Sequence, residues 1–160
     1  MKKLTGLLGS VLFWVLWPVW FFYLQFSKNR SRVLVVYKGE ILLIKPWLGR
    51  KNFALPGGGL KKGESSRSAA VRELAEETGI IITPRSLKMI GFYRSSEAGL
   101  KYKASLFSVE LSSRPNIQPD KVEIWEYIWA KLGDAEKLNL SNITRYALSR
   151  YKPQQQGRLL

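Results

Sequence analysis

The sequence has no cysteine and no histidine among its 160 residues. Without cysteine there is no disulfide, no thiolate nucleophile and no cysteine-based metal site, and without histidine the usual imidazole base and ligand are gone as well. Acid–base or metal chemistry must therefore fall to carboxylates, assisted by lysine, tyrosine or water. Carboxylates are themselves scarce, 12 against 26 lysines and arginines, which leaves a formal net charge of +14. Such an excess invites an anionic partner: nucleic acid, an anionic lipid surface or a polyphosphate. The basic residues are scattered, with no block of five or six, and no aromatic–basic stripe is present, so no specific nucleic-acid partner is expected.

One segment stands apart. Residues 4–26 carry no charged side chain and are dense in Leu, Val, Phe and Trp. At 1.5 Å per residue they would make roughly 34 Å of helix, against a bilayer hydrocarbon core of about 30 Å. Trp14, Trp17, Trp20 and Tyr23 gather toward one end, and Lys2, Lys3, Lys28, Arg30 and Arg32 bracket the stretch. It reads as a single transmembrane helix in contact with the lipid bilayer, with Pro18 as a kink. A cleaved signal peptide would have a shorter apolar core and small residues at its cleavage site. A core helix apolar all round would need a larger protein to bury it. The division expected is an anchor and basic linker over 1–31 and one globular domain over 32–160. The localisation expected is a single-pass membrane protein with its domain facing the cytoplasm, since Lys38 and Lys45 extend the basic excess on that side.

In the domain, residues 33–37 and 41–44 are almost wholly apolar and flank Lys38, Gly39 and Glu40, which predicts a hairpin covered on both faces. Extended segments are expected at 80–82, 87–94, 102–111 and 122–130, a short helical turn at 134–138 and a closing helix over 141–151. Strands and helices in this order give an α/β class with a mixed sheet and helices on both faces.

Between the hairpin and the later strands lies the stretch 58–80, GGLKKGESSRSAAVRELAEETGI. Proline followed by three glycines at 56–59 cannot sit in a helix and must be a loop. From Ser65 to Thr78 the composition turns to good helix formers, with Ser65 or Ser66 placed to cap the start and Gly79 to end it. At about 100° per residue, Glu73, Glu76 and Glu77 fall on one face, opposite Val71, Leu74, Ala75 and Thr78. Three carboxylates at i, i+3 and i+4 oppose one another, which suggests a compensating cation, and hard oxygen ligands favour Mg²⁺ or Mn²⁺. A solvated acidic face is the alternative.

With Gly58, Glu64, the run Arg72 to Glu77, Gly79 and Ile80 at these spacings, the stretch resembles the signature of the Nudix hydrolase family and matches it at every fixed position. At roughly 1 in 15 per identity, chance would match a random start on the order of once in 10⁹. The resemblance implies a Nudix-type α/β/α sandwich and Mg-dependent hydrolysis of a diphosphate linkage in a nucleoside diphosphate joined to a second group. It implies that Glu73, Glu76 and Glu77 hold the metal, that Arg72 orients a box glutamate, and that Glu64 supports the metal shell or pairs with Arg72. Gly58, Gly59 and Gly79 would bind substrate or shape the box; at Gly58 a turn with positive φ and a close contact are both open. A further carboxylate commonly comes from a later strand, for which Glu123 is the choice and Asp120 the next; Glu73 or Glu123 would be the base. The residues that mark ADP-ribose and dinucleoside polyphosphate subgroups, a proline or a tyrosine beyond the box, are absent near 95–97. A nucleotide-linked lipid is a variant substrate, and a nucleotide-binding sensor without turnover is the alternative function.

Overall fold

The computed structural model describes residues 28–47, 52–95 and 101–153. The stretch at 4–26 lies outside the described residues. The membrane localisation expected from it is corrected: among the described residues no helix is long and apolar enough to cross a membrane.

Five strands form one mixed sheet: β1 (Asn29–Tyr37), β2 (Glu40–Pro46), β3 (Lys88–Ser95), β4 (Tyr102–Glu110) and β5 (Ile124–Lys131), in the order β3-β4-β1-β2-β5. Only β1 and β4 run parallel; the other neighbours are antiparallel. The sheet therefore begins at Asn29, three residues before the expected start of the domain. The β1–β2 turn has positive φ at both Lys38 and Gly39, which matches the twist of the two strands.

Alternate residues of the central strands feed two cores. Val33, Val35, Leu42, Phe107 and Val109 point to one face, where α1 (Ser66–Thr78) supplies Ala70 and Leu74. Leu34, Val36, Ile41, Leu43, Ala104 and Leu106 point to the other, where they meet Ala135 of α2 (Leu132–Ala135) and Ile143 and Ala147 of α3 (Asn142–Arg150). Most of these side chains are fully buried, and each buried Leu, Val or Ile contributes about 1.5–3 kcal/mol. Helices lie on both faces of the sheet, as the order of elements predicts.

β1 and β2 pair only at Val36↔Ile41 and Tyr37↔Glu40. Beyond that point they part, and residues 54–60 enter the gap. Ile44 and Ala54 exchange two backbone hydrogen bonds on one side; on the other, Val33 N–H donates to Pro56 O, Ser31 N–H to Gly58 O and Leu60 N–H to Asn29 O. The glycine segment thus occupies the place a longer β2 would have taken.

Two expected strands differ. Residues 80–82 form no strand, because the chain leaving α1 is tied to the loop before β5 instead of to the sheet: Gln118 N–H donates to Thr78 O and Asp120 N–H to Glu77 O. A short 3₁₀ turn, Pro84–Ser86, follows. The final strand starts at Ile124 and not at residue 122, since Asp120 folds 120–123 into a turn. Its side chain accepts Val122 N–H at 2.8 Å and its carbonyl accepts Ile124 N–H at 2.7 Å.

Candidate active site

Helix α1 starts at Ser65, whose hydroxyl accepts Ser68 N–H, and stops at Gly79, where φ is +74° and the N–H closes on Ala75 O. Both caps are where the sequence places them. Ser31 Oγ of β1 donates to Ser66 O at 2.8 Å, fastening the helix start to the sheet. The loop before the helix and the helix itself are interlocked at two glycines. A Cβ at Gly57, where φ is +133°, would stand 2.1 Å from Ser31 O. Gly58 has no positive φ; a Cβ there would stand 2.4 Å from Glu73 Oε2. The positive φ expected as one reading of Gly58 belongs to its neighbour Gly57, while Gly58 lies against the Glu73 carboxylate.

The three helix carboxylates differ from one another. Glu76 is about half exposed. Glu73 is largely covered. Glu77 is buried at 7% exposure, contrary to the polar face expected of it, and accepts Gly57 N–H at 2.7 Å. Burial pushes the Glu77 carboxyl up to about 8; the Arg32 charge and the Gly57 N–H oppose this, while Glu73 and Glu123 add to it. Burial likewise raises Glu73, against the pull of Arg72. Glu123, in the turn before β5 and not within the strand, is raised by burial first and then by Glu73, Asp120 and Glu76. The mutual repulsion places the four glutamates in one electrostatic cluster.

Arg72 is the hub of the remainder. Its Nε and Nη2 take the two oxygens of Glu64 at 2.9 Å each, Nη1 takes Glu73 at 2.7 Å and Glu76 at 2.8 Å, and Nη2 also donates to Gly59 O at 3.0 Å. This bidentate fork is a geometry only arginine offers. The guanidinium holds Glu64 below the usual carboxylate range. Arg32, assigned from sequence only to the flank of the apolar segment, donates to Leu55 O, and its charge acts on both Glu73 and Glu77. The signal for it was a basic residue directly before the apolar run 33–37.

For a hard divalent cation the chemistry of the donor set fits. Glu73 and Glu77 are largely or wholly buried and Glu73 acts electrostatically on Glu77, which among the described residues makes no ion pair, so added positive charge would relieve them. As the side chains stand, no three carboxylates among the described residues are gathered closely enough to hold an ion, and Arg72 Nη1 is bonded to both Glu73 and Glu76.

The model of the NUDIX domain matches residues 27–151. The chain belongs to the Nudix family. An ADP-ribose pyrophosphatase of Methanocaldococcus jannaschii is 45% identical over 64 residues, which cover 36% of this chain and 34% of the relative; the matched part is thus about a third of that protein's length. The MutT Nudix hydrolase of Burkholderia pseudomallei has a similar structure, with TM-score 0.70 and 23% identity over 79% of this chain and 98% of that one. A bifunctional NMN adenylyltransferase/ADP ribose pyrophosphatase of Francisella tularensis, complexed with AMP and a Mn ion, has TM-score 0.66 and 20% identity over 77% of this chain and 40% of that one. At these identities the structures establish the Nudix fold. Nudix hydrolases generally use divalent metals, and the Francisella tularensis complex holds a Mn ion.

Proposed function

We propose that the Nudix domain is a Mg²⁺- or Mn²⁺-dependent hydrolase that cleaves the diphosphate linkage of a nucleoside diphosphate joined to a second group. The observation that supports it most is the interlock of loop and helix: Gly57 N–H donates to Glu77, and Gly58 lies so close to Glu73 that a Cβ there would stand 2.4 Å from its carboxylate. Glu73, Glu76 and Glu77 would hold the metal. When bound, it offsets charge on the diphosphate oxygens and on the leaving group.

The chain's own residues do the rest. Gly57 N–H and the box helix fix the orientation of Glu77. Arg72 positions Glu73 through Nη1 while Glu64 braces Arg72 from behind, an arrangement that acts on the reacting groups through another residue. Glu73 or Glu123 accepts the proton of the attacking water. Glu123 is half-buried, burial raises its carboxyl above the ordinary range, and no ion pair reaches it among the described residues. ADP-ribose is the first substrate to try, because a relative sharing 45% identity over 64 residues carries that activity, although the subgroup proline is missing beyond the box.

The test is nucleotide or phosphate release by the full chain from ADP-ribose, nucleotide sugars, dinucleotides and nucleoside triphosphates, with Mg²⁺ and with chelator, beside Glu77→Gln. The expected result is metal-dependent turnover that the variant loses by roughly 10³-fold or more. Silence across the panel with nucleotide binding retained would overturn the hydrolase and leave a nucleotide-binding module.

A further inference from the structure

Beyond Glu123 the chain enters the outer edge of the sheet, where aromatic side chains that the core does not use are gathered. Trp47, Trp125 and Tyr127 are 53%, 58% and 39% exposed. With Pro119, Lys121 and Glu126 they line a cavity of about 500 Å³, within the range of small-molecule sites. The corner is built by the fold. Pro46 pairs with Ile124 and Lys45 with Glu126, so Trp125 is an extra residue thrown out of the β2–β5 ladder, as in a bulge. Trp47 is held at three points: its N–H donates to Glu123 O at 2.9 Å, its indole N–H donates to Lys121 O at 3.1 Å, and its ring meets Trp125 edge-on with centroids 4.2 Å apart and planes at 87°. An edge-to-face pair leaves the face of one indole open, and a ring fixed in advance gives up little entropy when a flat ligand lies on it.

We propose that this corner seats the planar base of the nucleotide substrate, so that Trp47 and Trp125 contribute to choosing it. The proposal rests on the reading of the glutamate cluster as the centre that cleaves the diphosphate. The two places are continuous, because Glu123 stands between Lys121 and Trp125 in the chain and Trp47 is bonded to its carbonyl. A substrate with its diphosphate at the cluster has its base at the far end of the ribose, and the corner offers that base an indole surface. Lys121 and Glu126 bring a cation and a carboxylate to the wall, groups able to meet the polar edge of a base.

The test uses AMP, GMP, CMP and UMP, which have no diphosphate to cleave, and ribose 5-phosphate, which has no base. Each is titrated calorimetrically into the full chain in Mg²⁺, as wild type, Trp125→Ala and Trp125→Phe. The expected result is that at least one nucleotide binds, that Trp125→Ala weakens it roughly 5- to 150-fold, the range of base–aromatic stacking, that Trp125→Phe restores part of the loss, and that ribose 5-phosphate does not distinguish the three proteins. Failure of all four nucleotides to bind, or equal binding by wild type and Trp125→Ala, overturns the proposal. Nucleotide binding that depends on Trp125 in a protein that hydrolyses nothing would keep the base seat and remove the hydrolase. Hydrolysis of ADP-ribose with KM unchanged in Trp125→Ala would do the reverse.

Discussion

Replacing Gly58 with alanine separates catalysis from folding. The new Cβ would stand 2.4 Å from Glu73 Oε2, 2.5 Å from its Cδ and 2.7 Å from Oε1, where ordinary contact begins at 3.4 Å. The carboxylate must therefore retreat by about 1 Å, the difference between 3.4 and 2.4 Å. Gly58 has no positive φ, so the backbone itself accepts alanine. What yields is the far end of a side chain, at the cost of loosening its 2.7 Å bond to Arg72, about 1–3 kcal/mol of stability. A misplacement of about 1 Å in a catalytic group costs about 10²-fold in rate. Gly57→Ala fails differently: its Cβ would meet the Ser31 carbonyl oxygen at 2.1 Å, a backbone atom and not the movable end of a side chain, at a φ of +133°. That clash is relieved by shifting the loop or β1, and with the strained φ added a loss beyond about 3 kcal/mol, larger than that of Gly58→Ala, is expected. Gly63→Ala is the control, with φ +77° and no atom within 4 Å, so only about 1–2 kcal/mol of backbone strain applies. The assays are urea unfolding and steady-state hydrolysis on the same preparations. Wild-type kcat in Gly58→Ala, or equal destabilisation by the Gly58 and Gly57 variants, would refute the reasoning.

Two further outcomes follow from the Arg72 hub. Arg72→Lys keeps the charge but cannot span both oxygens of Glu64 while reaching Glu73 and Glu76; we expect kcat to fall at least about 10-fold and stability by about 1–3 kcal/mol, and wild-type kinetics in a folded variant would count against the positioning role. Glu64, held below the usual range by Arg72, contributes stability that is present above the unfolded value of about 4.5 and is lost as pH falls through its folded value. The unfolding free-energy gap between wild type and Glu64→Gln, measured from pH 7 down into the acid range, should shrink on acidification, and a gap that stays constant would show that the Arg72 bond does not set it.

The parts of the fold legible in the sequence are those decided locally. Ser65 and Gly79 bound the box helix because capping depends on residues within one turn, and the hairpin follows from two apolar runs about Lys38 and Gly39. The parallel pairing of β1 with β4 joins strands some 70 residues apart in the chain, such as Leu34 and Ser108, and no local pattern specifies it. Helical periodicity placed Glu77 on the polar face with Glu73 and Glu76, correctly in angle. It missed the burial, because what covers Glu77 is the Gly57 loop and not another helix. Glu123 was found as a candidate but placed in a strand; the aspartate three residues earlier carried the turn signal. Neither Trp47 nor Trp125 was singled out by the sequence, since their pairing depends on a bulge that only the structure reveals.

The insertion of residues 54–60 between parted strands has a consequence for motion. A segment with almost no regular secondary structure is usually the first to open, but this one has its amides and carbonyls spent on β1 and β2. To free Gly57 from Glu77, the chain would have to part the middle of its own sheet. Local opening there draws on nearly the whole folding free energy, so amide hydrogen exchange at Ala54 and Leu60 should be about as slow as in the central strands. The glycine loop then behaves as part of the rigid frame, and any movement that admits a ligand has to come from elsewhere in the molecule.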